Sequence, residues 1–196
     1  MAVRKHTNSL GKGEMKLSLS NPFIRFIVIA PGVYLLWYLL YEFYLQPHTN
    51  FDDFVIDNLV WLTESILNLL GYELRPHVGE FANFVGIIES HWIEIGAPCD
   101  GITLLSLLTV FVMAYPGPLK HKLWFLPLGL LSVHLINALR IVALVIIVSV
   151  SPESLQFHHD YTFTVLVYIF VFGLWYFWIN YLSDNGAEKP IARDEK

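Results

Sequence analysis

Four apolar runs constrain this chain more than any other feature. They extend over residues 23–45, 99–115, 123–150 and 161–182. A helix that crosses the hydrocarbon core of a bilayer needs about 20 mostly apolar residues. Charged residues make up 15% of the chain, well below the roughly 25% that is typical of soluble domains. We therefore predict an all-α integral membrane protein with about four transmembrane helices.

The runs divide the chain into a basic tail over 1–22, one membrane-embedded domain over 23–182 and a mixed-charge tail over 183–196. We expect the first run to remain as a spanning helix, because it lacks the short apolar core and small-residue cleavage site of a signal peptide. Basic residues in short flanking loops favour the cytoplasmic side. This rule predicts that both tails are cytoplasmic, and that the acidic insertion 46–98 and the polar loop 151–160 are extracytoplasmic.

The insertion 46–98 predicts structure of its own. Apolar residues recur at helical spacing from Phe54 to Leu70, which indicates an amphipathic helix in the membrane interface that ends at Gly71. The β-branched and aromatic residues between 72 and 97 predict short strands. We expect a helix followed by a small β-hairpin that leads into Cys99.

Three groups from three different runs are predicted to meet at the outer face. Cys99 begins an inward-going helix, and His158 and His159 precede another. Arg140 lies roughly 25 Å above Leu123 at about 1.5 Å per residue, in a core about 30 Å thick. An ionised side chain in such a run costs at least about 2.5–3.5 kcal/mol, so a functional role is a natural hypothesis.

These residue types suit nucleophilic catalysis. A thiolate attacks carbonyl carbon, and a histidine can take the thiol proton and return it to a leaving amine. Arg140 cannot act as a base, but it can stabilise the thiolate or an oxyanion. Either His158 or His159 could supply the imidazole. Asp100 would oppose thiolate formation if its side chain faced the sulfur, so its role stays open.

Alternative interpretations remain for each of these residues. Cys99 could be packing, Arg140 could extend to the headgroups, and Asn137 with His134 could serve helix–helix hydrogen bonds. A non-catalytic scaffold in envelope or polysaccharide assembly is one rival, and a metal-dependent hydrolase that uses His158, His159 and Asp160 is another. No motif indicates a metal, nucleotide or redox cofactor. No basic stripe outside the N-terminal tail favours nucleic acid.

Three segments together resemble the exosortase/archaeosortase family, in particular its short Bacteroidetes-type members. They are Cys-Asp-Gly at 99–101, Asn-Ala-Leu-Arg-Ile at 137–141 and His-Asp-Tyr-Thr-Phe at 159–163, within a similarity over about 20–182. The resemblance implies a cysteine transpeptidase of the bacterial inner membrane. Such an enzyme cleaves C-terminal sorting signals (a motif, a transmembrane helix and a basic tail) from exported proteins.

The resemblance also implies roles for individual residues and partners. Cys99 would be the nucleophile, Arg140 the stabilising cation and His159 the general acid/base, with His158, Asn137 and Asp100 as candidate supporting residues. The expected partners are the sorting-signal tail, the lipid bilayer and a surface glycan or lipid acceptor that receives the cleaved protein through a thioester. No cofactor is implied.

Overall fold

The computed structural model describes residues 22–76, 83–96 and 99–183, with side chains from residue 26 onward. The fold is mostly helical, with one small sheet. The predicted tails, 1–22 and 183–196, lie outside the described residues except for residues 22 and 183. Part of the predicted strand region, 77–82 and 97–98, lies outside them too.

Three of the described helical stretches are long and apolar enough to cross a membrane: Phe26–His48, Leu119–Val150 and Pro152–Leu182. The first begins within α1 (Pro22–Leu40), which continues through a π-helical turn at Tyr41–Leu45 into α2 (Gln46–His48). Pro31 lies inside α1. From Pro22 to His48 these helices cover the first predicted span and run three residues beyond its end.

The predicted second span is a shorter helix. It is α4 (Ile102–Ala114), whose 13 residues make a helix about 20 Å long, against a hydrocarbon core of about 30 Å. Gly101 precedes it with a φ of 76°. At its other end Lys122 Nζ donates hydrogen bonds to the carbonyls of Met113 and Tyr115, at 3.0 and 2.9 Å. About four transmembrane helices were expected, and the described residues contain three candidate spans and one short apolar helix.

The long helix α5 (Leu119–Val150) forms one continuous element through Pro127, starting four residues before the predicted run. The polar loop predicted for 151–160 is helical instead. Three short helical turns join α5 to the last helix: a 3₁₀ turn at Pro152–Ser154, α6 (Leu155–Phe157) and a π-helical turn at His158–Thr162. The last helix is α7 (Phe163–Phe177), which ends in a π-helical turn at Trp178–Leu182. Polar side chains do not prevent a helix here, because the backbone N–H and C=O groups still hydrogen-bond to each other. Such internal hydrogen bonds are what a chain inside a membrane requires.

The insertion contains the predicted helix and hairpin. Helix α3 (Phe51–Leu69) is followed by Gly71 at a φ of 87°, a conformation that favours glycine. Strands β1 (Phe84–Gly86) and β2 (Trp92–Glu94) pair antiparallel. Of the predicted strand near residues 72–78, the described part forms only an isolated bridge from Leu74 to Ile87. The described part of the insertion therefore packs, through α3 and the hairpin, against the second half of α5.

Two apolar clusters share α5 as their common element. One joins α3 and the hairpin to the second half of α5, through Leu59, Leu67 and Ile141 among others. The other joins α4 and α7 to the first half of α5, through Leu108, Val133 and others. Asn137 and Arg140 lie on α5 where the two clusters meet, and the candidate site is built there.

Candidate active site

The thiol of Cys99 and the imidazole of His159 are in contact. Cys99 Sγ lies 3.2 Å from His159 Nε2, although 60 residues separate them in the chain. Cys99 is held in the turn before α4, and His159 in the π-helical turn before α7. Single π turns recur at functional sites because the extra residue redirects the side chains of that turn. The two helix starts thus bring a thiol and an imidazole within hydrogen-bond distance.

His159 is oriented by the residue that follows it. Its Nδ1 lies 2.8 Å from Asp160 Oδ1, and Gln156 Nε2 donates to the other carboxylate oxygen of Asp160. A carboxylate on Nδ1 favours the tautomer with its proton there, which leaves the Nε2 lone pair facing the thiol. From the sequence, Asp160 was a candidate metal ligand only. Sequence periodicity gave no signal for this pairing, because adjacent residues do not face each other on a regular helix.

His158 occupies a different position from its neighbour. Its Nδ1 lies 3.1 Å from Thr162 Oγ1, one turn further along. The sequence left His158 and His159 as alternatives for the imidazole, and the structure brings His159 to the sulfur. Thr164 Oγ1 donates to the carbonyl of His159 at 2.9 Å, which ties the π turn to α7.

Arg140 is buried beside this pair, with 8% of its surface exposed. Its Nε has no hydrogen-bond partner among the described residues. The guanidinium is close enough to lower the pKa of the Cys99 thiol. An unpartnered donor on a buried cation is costly unless something binds it, so Arg140 is available to an anionic group that forms or arrives at this site.

A hydrogen bond and a glycine shape the turn that carries Cys99. Asn137 Nδ2 donates to the carbonyl of Cys99 at 2.7 Å. Gly101 follows in a left-handed conformation, and a Cβ there would lie 2.9 Å from the same Asn137 nitrogen. The close approach of α5 to this turn therefore needs both residues. Asn137 therefore fixes the Cys99 turn against α5. The residue pattern alone suggested a helix–helix hydrogen bond for Asn137, and the family resemblance implied a supporting residue of the site.

Asp100 is buried, and its Oδ1 accepts the Ile102 backbone N–H at 2.8 Å. That contact satisfies one of the backbone donors left free at the start of α4. Burial raises the pKa of this carboxyl to about 6, and the charge of Asp52 adds to the rise, while the Ile102 hydrogen bond acts against it. The role left open by the sequence is thus a structural contact at the helix start.

The surroundings of Cys99 shift the pKa of its thiol. Burial raises this pKa above the ordinary value, the Arg140 charge lowers it and the Asp100 charge raises it again, so that the net shift is upward. A neighbouring group that can accept the proton favours formation of the thiolate, and His159 Nε2 lies within hydrogen-bond distance of the sulfur.

Two pockets flank His159. The hairpin pocket, about 190 Å³, lies between β2, α5 and α6, and Cys99 and His159 form part of its wall. The helix pocket, about 250 Å³, lies between α4 and α7 and is lined by Asp100, Arg140 and His159, with Thr103, Leu104 and Tyr168 further along the helices. The reactive pair therefore has open space on two sides.

No group of three metal-ligating side chains occurs in the part of the chain that the structure describes. His159 and Asp160, two of the three residues weighed for a metal site, hydrogen-bond each other. His134, further along α5, pairs with Asn58 of α3 at 2.7 Å. That contact is the helix–helix hydrogen bond that the sequence suggested for His134.

Comparison with known proteins gives one match. A family model described as transmembrane exosortase matches residues 19–179. A search of curated proteins and a search of solved structures each found no match. The matched range includes every residue of the Cys99–His159 site described above.

Proposed function

This chain belongs to the transmembrane exosortase family, and from that membership we propose that it is a membrane-embedded cysteine peptidase or transpeptidase. Its substrates are exported proteins that end in a sorting signal of motif, transmembrane helix and basic tail. The observation that carries the proposal is the 3.2 Å contact between Cys99 Sγ and His159 Nε2. In this geometry the one cysteine of the chain meets a base whose other nitrogen is held by a carboxylate.

The reaction has two steps. His159 Nε2 takes the thiol proton while Cys99 Sγ attacks the carbonyl carbon of the scissile peptide bond, so that a carbon–sulfur bond forms. The tetrahedral intermediate collapses, the carbon–nitrogen bond breaks, and His159 returns the proton to the leaving amine. An acceptor amine or water then attacks the thioester, with His159 as base, and regenerates the thiol. Asp160 stabilises the imidazolium that forms in both steps.

Arg140 stabilises the charge that develops on the carbonyl oxygen. A buried guanidinium with a free Nε is a fixed donor in a low-dielectric site, where such a group contributes most to stabilising an oxyanion. The same charge favours the thiolate at the moment of attack. The Arg140 charge thus acts against the rise in the Cys99 pKa that burial causes.

The proposed setting is the bacterial inner membrane, with both termini cytoplasmic and the site on the extracytoplasmic side. The basic flanks at Lys120 and Lys122 support this orientation, as does the acidic insertion 46–98. In this arrangement a substrate helix can lie in the bilayer beside the protein while the preceding peptide bond reaches Cys99. A surface glycan or lipid that carries an amine is the proposed acceptor.

The test follows an exported protein with such a tail, co-expressed with this protein, by its size and location. We expect Cys99→Ala to abolish removal of the tail, and His159→Ala to slow it about 10²–10⁴-fold. Arg140→Ala should slow it about 10²–10³-fold. His158→Ala is the matched control and should process near the wild-type rate, because His158 contacts Thr162 rather than the thiol.

Membrane abundance is measured for each variant, so that loss of protein is not read as loss of chemistry. If a stably inserted Cys99→Ala protein still removes the tail, Cys99 is a packing residue and the peptidase function is wrong. In that case the scaffold interpretation gains its support.

A further inference from the structure

The hairpin pocket has an apolar floor next to the nucleophile. Ile95, Ile141 and Leu144 form this floor and are 1%, 1% and 2% exposed. Ile93 and Leu155 close its sides, and both are only partly buried. Ile95 and Ile141 belong to the apolar cluster that packs the hairpin on α5, so this part of the floor is buried in the protein core. Cys99 is part of the wall, so a group that reacts with the sulfur lies beside this cavity.

The helix pocket on the other side of His159 differs in chemistry and direction. It contains the charged groups Asp100 and Arg140, and it continues between Leu104 of α4 and Val167 and Tyr168 of α7. Those helices lead away from the reactive pair along apolar segments. His159 lines both pockets and therefore marks the boundary between them.

We propose that the hairpin pocket binds an apolar side chain, aliphatic or aromatic, of the substrate residue whose carbonyl carbon Cys99 attacks. The inference rests on the proposed peptidase function. The substrate segment after the scissile bond continues into a spanning helix. We place this segment along α4 and α7, so that it leaves the site through the helix pocket. The residue before the scissile bond then has its side chain in the hairpin pocket and its carbonyl oxygen on the Arg140 side.

The rim of the pocket selects against acidic residues at this position. Glu94 and Gln156 line it beside the apolar floor. An acidic side chain would lose hydration against Ile141 and Leu144 and would meet the Glu94 carboxylate, so both effects oppose its binding. Glycine would leave the floor uncovered. The pocket therefore determines specificity for one substrate side chain.

The sole cysteine gives this proposal a direct probe. The full chain in detergent is treated with the chloromethyl ketones of N-acetyl-L-leucine, N-acetyl-D-leucine and N-acetylglycine, and alkylation of Cys99 is followed by peptide mass mapping. The thiolate displaces chloride and forms a carbon–sulfur bond. We expect the L-leucine probe to react on the order of 10-fold faster than the glycine probe, from the burial of one leucine side chain. The D-leucine probe controls for partition into detergent and should react slowly.

Variants at the floor and the rim identify the pocket. Leu144→Phe fills the floor and should remove the preference for L-leucine over glycine. Leu155→Phe should fill the same pocket from its side and also remove the preference. This second variant replaces Leu144→Phe in the test if the core substitution prevents folding. Leu139→Phe, on the half-exposed face of the same helix α5, should keep the preference.

Two failures are distinguishable. The assignment of the hairpin pocket is wrong if the L-leucine and glycine probes react at equal rates. It is also wrong if Leu144→Phe and Leu155→Phe slow both probes equally. Neither result contradicts Cys99 as the nucleophile. If iodoacetamide labels Cys99 but neither substrate-like probe does, the peptidase function itself fails, and the pocket assignment fails with it.

Discussion

The carboxylate of Asp100 is buried beside a thiol that attacks only after losing its proton. The folded protein holds the proton on Asp100 more tightly than an unfolded chain does, because its pKa rises from 3.8 to about 6. The ionised form therefore destabilises the fold above about pH 6, by roughly 3 kcal/mol for a shift of this size. That penalty disappears as the pH falls through 6 towards 4.

Asp100→Asn should be more stable than the wild type at pH 8, because an amide oxygen can still accept the Ile102 N–H without a buried charge. The difference should shrink between pH 6 and 4. Thermal unfolding in detergent, followed by tryptophan fluorescence across this range, measures it. The same variant should alkylate faster at Cys99 at pH 8, because the Asp100 charge raises the thiol pKa. Identical unfolding curves at pH 8 would contradict the first part.

Asn137 positions the nucleophile through the carbonyl of Cys99. Asn137→Leu removes the 2.7 Å hydrogen bond and leaves that carbonyl without its donor, which costs about 1–3 kcal/mol. We expect roughly 10-fold slower processing and a changed pH dependence of Cys99 alkylation. Asn180→Leu is the matched control, because Asn180 donates to Tyr176 one turn earlier. Equal effects of the two substitutions would remove the positioning role.

Cys99 and Arg140 could be singled out from the sequence because ionisable and nucleophilic residues are rare in apolar runs and stand out by depth. His158 and His159 stayed alternatives, and the fold brings His159 to the sulfur. The pairing of Asp160 with His159 could not be predicted, because it depends on the π-helical turn at His158–Thr162, and adjacent residues on a regular helix would diverge. Asn137 was visible as a polar residue in α5, but its partner is a backbone carbonyl, which carries no sequence signature.

At the scale of elements, α3 holds the insertion on α5. Leu59→Ala should lower the stability of the folded protein by about 2–5 kcal/mol, because Leu59 is 0% exposed in the α3–α5 cluster. Leu69→Ala, at the 86% exposed end of the same helix, should change it by less than about 0.5 kcal/mol. Chemical denaturation in detergent, followed by circular dichroism, compares the two. Similar losses would show that α3 does not dock through this face.

Long apolar runs and the amphipathic helix were predictable because hydropathy and helical periodicity determine them locally. The boundaries of the last helix were not, because the polar residues from Ser151 to Asp160 resemble a loop in composition. The length of α4 also escaped the sequence. Its apolar run begins at Cys99, but the left-handed Gly101 delays the helix to Ile102.

At the scale of the whole molecule, the proposed orientation puts Cys99 on the extracytoplasmic side. A membrane-impermeant methanethiosulfonate reagent, applied to intact spheroplasts at pH 8.5, should modify the wild-type protein. Lys120→Cys in a Cys99→Ala background should be modified only after permeabilisation, because Lys120 begins α5 on the proposed cytoplasmic side. The reverse pattern would invert the topology and place the site in the cytoplasm.

The raised pKa of the Cys99 thiol also affects its resistance to oxidation. Peroxide oxidises thiolates, and a thiol with a raised pKa presents few of them. A sulfenic acid on this chain would find no second cysteine to trap it as an internal disulfide, because Cys99 is the only one. The next products on that path, sulfinic and sulfonic acids, do not revert without a dedicated repair enzyme. The burial that raises the thiol pKa therefore also protects Cys99 from irreversible oxidative damage.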